Sequence, residues 1–195
     1  MLISFFIQIC LENRYKNDQG NDCLLSVDCC DFRIEEPYPF ELEWSKNWFS
    51  HKFDGPGLRY KIALCILTGD VCWINGPFPC GQKNDWTIFK SELLNYLDAN
   101  ERVEADDGYS AGDPEFVKTP SGIHHPEEFK DCRRRVMGRQ ETINARNKNL
   151  GALSKVFRHD MLKHQLVFRA VSVLVQISLN NDNPLYDTSE YTDHH

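Results

Sequence analysis

The sequence has no apolar run approaching the roughly 20 residues that a membrane-spanning helix requires. Its most apolar stretches, residues 1–11 and 170–179, are both too short. Residues 1–11 also lack a positively charged start and a small-residue cleavage site, so they read as a truncated helix rather than a secretory signal. None of the eight cysteines forms a CxxC pair. His124, His125, His159 and His164 are not accompanied by the paired cysteines of a zinc site, which makes a zinc centre the lesser reading. There is no internal repeat and no low-complexity tract.

What remains is a composition of 41% hydrophobic and 26% charged residues, the mix of a soluble globular protein and not of a disordered chain. A length of 195 residues suits one domain with a substantial core. A disulfide framework is an inference for short secreted chains. Here the cysteines fall inside apolar strand-like runs, as in Ala63-Leu64-Cys65-Ile66 and Val71-Cys72-Trp73, and read as reduced core thiols of an intracellular protein.

The net charge of −7 conceals an asymmetry. Residues 130–169 carry 11 Lys and Arg against three acids, a local +8, while the rest of the chain carries −15. Such a segment is either a phosphate-facing surface or a solvated helix face, and charge alone favours neither.

Along the chain, Leu24-Leu25-Ser26-Val27 begins a buried strand that runs through Asp28 to Phe32 and Ile34, before Pro37 and Pro39 stop it. Residues 37–57 form a loop bearing Tyr38, Phe40, Trp44, Trp48 and Phe49; the last three serve either core packing or stacking on unpaired bases. From Leu58, apolar residues alternate with Arg59, Lys61, Ala63 and Cys65, the pattern of a half-buried strand. Thr68-Gly69-Asp70 turns it into a returning arm that ends at Gly76-Pro77-Phe78-Pro79. Asn84 or Asp85 caps a helix with Trp86, Phe89, Leu93, Tyr96 and Leu97 on one side. A short strand over 102–105 enters Asp106, and another lies near Phe116-Val117. Helices follow over about 127–150 and 162–179, the second apolar almost all round and therefore expected to be buried. Residues 185–195 are polar and expected to fray. This order predicts an α/β domain, a mixed sheet flanked by helices.

Three acids stand out within that order. Asp28 interrupts an apolar strand, where an unpaired carboxylate costs several kcal/mol. Asp106 closes the next strand, in Ala105-Asp106-Asp107-Gly108-Tyr109. Glu141 lies in the basic helix, with Asn144 and Lys148 on its face. Singly, each also fits an edge, a turn or a solvated face. Together, on strand, strand and helix with 78 and 35 residues between them, they fit the carboxylate set that holds two divalent metals against a phosphodiester.

The runs Ser26-Val27-Asp28-Cys29, Asp106-Asp107-Gly108-Tyr109 and Arg139-Gln140-Glu141-Thr142-Ile143-Asn144-Ala145-Arg146 resemble the three DDE signatures of PIF/Harbinger-type transposases and related bacterial insertion-sequence transposases. Ser50-His51-Lys52-Phe53, Gly55-Pro56-Gly57-Leu58-Arg59-Tyr60 and the run from Trp73 to Gly81 resemble DDE-superfamily endonuclease domains as well, so the likeness spans about residues 20–187. It implies a ribonuclease H-like fold over residues 21–180, between an N-terminal remnant (1–20) and a polar tail (181–195). It also implies Asp28, Asp106 and Glu141 as catalytic and metal-binding residues, magnesium or manganese as a two-ion cofactor, and cleavage and strand transfer of DNA. Asp31 competes with Asp28 but points to the opposite face of a strand, and the family usually has Thr at the position of Cys30. Asp107 competes with Asp106, and the family spacing favours Asp106.

The basic segment then supplies the DNA contacts: Arg134, Arg135, Arg139, Asn144, Arg146, Lys148, Lys155 and Arg158. Expected partners are transposon ends and target DNA, a separate DNA-binding accessory protein and a second copy of the chain, with no membrane. The expected location is the nucleus in a eukaryote and the cytoplasm otherwise. Family members carry a DNA-binding region ahead of the catalytic core, whereas 27 residues precede Asp28 here. The rival expectation is therefore a domesticated or truncated relative that binds DNA or a partner without cutting.

Overall fold

The computed structural model describes residues 9–16, 20–35, 46–109, 115–120, 127–181 and 183–192. Within these, six strands form one mixed sheet: β1 (Cys23–Arg33), β2 (Phe49–Ser50), β3 (Gly55–Cys65), β4 (Val71–Pro79), β5 (Arg102–Glu104) and β6 (Val117–Lys118). The helices are α1 (Asp85–Ser91), α2 (Glu127–Asn149), α3 (Gly151–Ser154) and α4 (Met161–Asn180), with short 3-10 turns at Leu11–Tyr15, Leu93–Tyr96 and Asp107–Tyr109. Strand β3 lies between β1 and β4 and is antiparallel to both, and β2 pairs with its first residues. On its other edge β1 meets β5, and β5 meets β6, both in parallel. The sheet thus changes from antiparallel to parallel across β1.

Because successive side chains of a strand alternate in direction, β1 feeds two cores. Cys30 and Phe32 join Tyr60, Ile62 and Leu64 of β3 under Ile143 of α2 and Phe168, Val171 and Val175 of α4. Leu25 and Val27 join Ala63, Cys65, Val103 and Ala105 under Phe89 and Leu93. Each Leu, Val or Phe removed from water contributes about 1.5–3 kcal/mol, so both faces hold the sheet. Strand β3, expected to be half-buried, is covered on both sides: Lys61, Ala63 and Cys65 are at most 1% exposed because α1 and the turn after it pack on their face.

The returning arm continues past Gly76, whose φ of 131° pivots the chain, and β4 ends at Pro79 instead. The register of β4 against β3 shifts between Arg59 and Lys61. Asn84 caps α1 by accepting a hydrogen bond from the Thr87 amide at 2.7 Å. Helix α4 is not apolar all round in its setting: Leu174 and Ile177 are exposed, since the sheet covers one stripe of the helix only. The C-terminal segment, expected to fray, is docked as far as Thr192. Thr188 donates to the Ile66 carbonyl at 2.6 Å, Tyr191 donates to Glu104 at 2.6 Å, and Leu185 enters the first core. All eight cysteines are free thiols. Residues 1–8, Tyr38, Phe40, Trp44, His124 and His125 lie outside the described residues. No helix among the described residues is long and apolar enough to cross a membrane.

Candidate nucleic-acid and metal site

The parallel register of β1 and β5 pairs Leu25 with Val103 and Ser26 with Glu104. The pairing ends there: Asp28 continues β1, while Asp106 follows the end of β5, near enough for its charge to act on Asp28, at the edge where the sheet changes direction. In open α/β sheets ligands bind beyond the carboxyl ends of strands at such a switch point. Helix α2 crosses this face, presenting Val136, Gln140, Ile143 and Asn147 inward, each at most 1% exposed. Gln140 sets its register by donating to the Ser26 carbonyl at 2.6 Å and the Ser26 hydroxyl at 3.0 Å. At about 100° of rotation per residue, Asn144 lies about 40° and Glu141 about 100° from Gln140, on the same side of the helix.

Asn144 reaches Asp28: its Nδ2 donates to Asp28 Oδ2 at 2.7 Å, and the Cys29 amide donates to Oδ1 at 2.6 Å. Burial pushes the Asp28 carboxyl up to about 6, against the pull of Lys52 and the Cys29 amide; the nearby charges of Asp106 and Asp85 push it the same way as burial. The Oδ1 of Asn144 is buried without a hydrogen-bond partner. Asp106 is exposed and accepts from the Gly108 amide at 3.0 Å, which is also plain turn chemistry. Glu141 is exposed one helical turn before Asn144 and is close enough to act on the Tyr186 phenol. Among the described residues, no group of three or more His, Cys, Asp and Glu side chains is placed to hold a metal ion. The structure therefore joins Asp28 to Asn144, brings the Asp106 charge to bear on Asp28 from beyond the end of β5, and does not gather Glu141 with them into a three-acid group.

The oxygens at this edge are hard donors, although among the described residues they belong to no group of three acids. Two carboxylates and an unsatisfied amide oxygen are the ligand type that magnesium and manganese take, with remaining positions left to water and phosphate.

Lys52 was not read from the sequence as part of this site. Its Nζ donates to the Cys29 carbonyl at 3.1 Å, and although burial works against its charge, Asp31, Asp28 and Asp85 raise its pKa. Its place in a turn between two strands carries no periodic signal. Asp31, the competitor of Asp28, faces the other way. It accepts from Arg59 Nε at 2.8 Å, Arg59 Nη2 at 3.0 Å and Ser50 Oγ at 2.7 Å. Burial opposes its charge, but the Arg59 guanidinium holds the carboxyl below the usual range. Arg59 also donates to Asp85 at 2.7 Å. Beside this network Lys61 is fully buried, hydrogen-bonded to the Tyr109 hydroxyl, and burial lowers its pKa.

The basic segment separates into three groups. Arg139, expected to face phosphate, is 3% exposed and donates to the carbonyls of Tyr186 at 2.7 Å and Ile66 at 2.6 Å; helix α2 turns it toward the C-terminal segment. Arg146 likewise donates to the Asn183 carbonyl at 2.7 Å. Arg134 and Arg135 are exposed near the N-terminal half of α2, where Arg134 pairs with Asp131 and Arg135 with Glu190. Lys148, Lys155 and Arg158 lie beyond Asp28 along β1, and Lys148 sits over the Phe32 ring at 5.9 Å. His159 is exposed, whereas His164 is buried and hydrogen-bonded to the Tyr60 hydroxyl at 2.8 Å. Trp48 is in the core and Phe49 is exposed.

The chain matches no family model, no curated protein and no solved structure.

Proposed function

We propose that the chain is the catalytic core of a metal-dependent DNA endonuclease and strand transferase of the DDE type. The observation that carries this reading is Asp28 on β1, held by Asn144 of the helix that also bears Glu141, with Asp106 just past the end of the adjacent parallel strand and near enough for its charge to act on Asp28. The mixed sheet with helices on both faces supports a ribonuclease H-like assignment. Asp28, Asp106 and Glu141 would hold magnesium or manganese, which would activate the attacking water or 3′-hydroxyl and neutralise charge on the phosphate. The protein's own part is positioning. Gln140 and Asn144 lock α2 against β1 and orient the Asp28 carboxylate, while Lys52 and Lys148 flank it with positive charge that attracts a phosphodiester.

Glu141→Gln is expected to abolish magnesium-dependent nicking of supercoiled DNA while leaving the circular dichroism spectrum and melting temperature unchanged, since Glu141 is exposed. Full nicking activity in that variant overturns the assignment. The separation of Glu141 from the two aspartates favours a second reading, a transposase-derived protein that binds DNA without cutting it. DNA binding with no cleavage at any magnesium or manganese concentration selects that reading.

A further inference from the structure

Two cavities open side by side beyond the C-terminal end of β1. The first, about 210 Å³, lies between Asp31, Phe32, Arg33, Phe53 and Lys148; the Asp31 carboxylate is already paired with Arg59. The second, about 620 Å³, has Val156, Phe157, Leu166 and Val167 for its floor and Arg158, His159 and Lys163 at its rim. Lys155 lines both, so they form one groove that runs from the C-terminal end of β1 to the start of α4.

The groove is built into the sheet. The Phe157 amide donates to the Arg33 carbonyl at 3.0 Å and the Glu35 amide to the Phe157 carbonyl at 2.8 Å, so the segment 155–159 continues β1's hydrogen bonding. Phe157 is anchored beneath, 8% exposed, and the ring of exposed His159 stands edge-on to it at 5.4 Å. Cations alternate with rings along the path, with Lys148 over Phe32 and Arg33 over Phe53 at 5.0 Å. Val156 and Leu166 remain 45% and 60% exposed.

We propose that this groove binds a single-stranded stretch of DNA, its phosphates on Lys148, Lys155, Arg158 and Lys163 and its unpaired bases on His159, Val156 and Leu166. The proposal rests on the reading of the chain as acting on DNA, and it names the form of the substrate. Duplex DNA presents phosphates and grooves, so it gains little from an apolar floor. Unpaired bases gain from one because each has an exposed π-face, and cations interleaved with rings are the usual means of holding a single strand. The larger cavity is within the range of small-ligand sites, about 300–1,000 Å³, and so has room for an unstacked nucleotide. An acidic amphipathic peptide is the competing occupant by charge. The cations disfavour it: they alternate with rings along the path, which suits successive phosphates and bases better than one face of a helix.

The test is fluorescence anisotropy of the full chain with a labelled 12-nucleotide oligothymidine and with a duplex of equal length, both in EDTA so that cleavage plays no part. The single strand is expected to bind about tenfold more tightly than the duplex. Leu166→Asp, an exposed change that leaves the core intact, is expected to weaken the single strand about tenfold and the duplex less than about twofold. Arg158→Glu is expected to weaken both, with a shallower salt dependence. Equal affinity for the two forms, or an equal loss of both in Leu166→Asp, overturns the proposal. So does capture of an acidic amphipathic peptide that the oligonucleotide fails to displace. The outcomes separate from those of the nuclease assay: cleavage without the single-strand preference removes only the groove. The preference without any cleavage removes the nuclease reading and leaves the groove standing.

Discussion

His164→Phe isolates one buried group whose effect on stability changes with pH. The imidazole has no exposed surface and lies among Phe32, Tyr60, Phe157 and Phe168, the packing that seats α4 on the sheet. Burial lowers its pKa from 6.5 to about 4. The unfolded chain therefore takes up a proton below about pH 6.5, whereas the folded protein resists it until about pH 4. Stability from this group is whole above pH 6.5, falls as the pH drops through that window, and is flat below it. Each pH unit between the two values is worth about 1.36 kcal/mol, so the full loss is about 3 kcal/mol. Phenylalanine cannot titrate and fills a similar volume, but it leaves the Tyr60 hydroxyl without its partner, at a cost of about 1–3 kcal/mol. Taking that cost as about 2 kcal/mol, the variant is less stable than the parent at pH 7.5, equal to it near pH 5, and more stable at pH 4. Urea unfolding followed by tryptophan fluorescence across pH 4–7.5 measures the difference directly, and common acid effects cancel in it. Stability curves that stay parallel across the range refute the argument.

Arg59→Leu leaves the fully buried Asp31 carboxylate without its cation and is expected to cost about 3–5 kcal/mol, read as a fall of about 10 °C or more in melting temperature. Gly76→Ala places a Cβ 2.7 Å from the Tyr60 ring and 2.8 Å from the Arg59 carbonyl at a φ of 131°; a loss of at least about 2 kcal/mol is expected in thermal unfolding. Asn84→Ala removes the cap of α1 and is expected to lower stability by about 1 kcal/mol in urea titration, with an unchanged slope. A loss under about 0.3 kcal/mol there shows that the cap contributes nothing.

Much of the element order was legible because it follows local rules. The apolar run into Asp28, the alternation from Leu58, the Thr68-Gly69-Asp70 turn and the cap at Asn84 each encode structure within a few residues, and each is found where expected. The errors arose where a distant element decided the outcome. Lys61 and Cys65 occupy what reads as the solvent face of β3, but α1 arrives to cover them. The last residues look unstructured by composition, yet Thr188 and Tyr191 find buried partners on Ile66 and Glu104.

The candidate site divides the same way. Charge counting finds the basic segment at once, but only the helix's rotation against the sheet separates Arg139, whose guanidinium is spent on backbone carbonyls, from Lys148 and Lys155 in the groove. The sequence by itself determined β1, β3, β4, β5 and the helices α1, α2 and α4, though not β2 or α3, and it separated Asp28 from Asp31 onto opposite faces, because a side-chain period of two is a property of the strand. The tertiary structure alone decided that the Asp106 charge acts on Asp28, that Asn144 holds the Asp28 carboxylate, and that Glu141 is exposed. Those relations depend on strand register and helix rotation, which are set by the packing of residues distant in the chain.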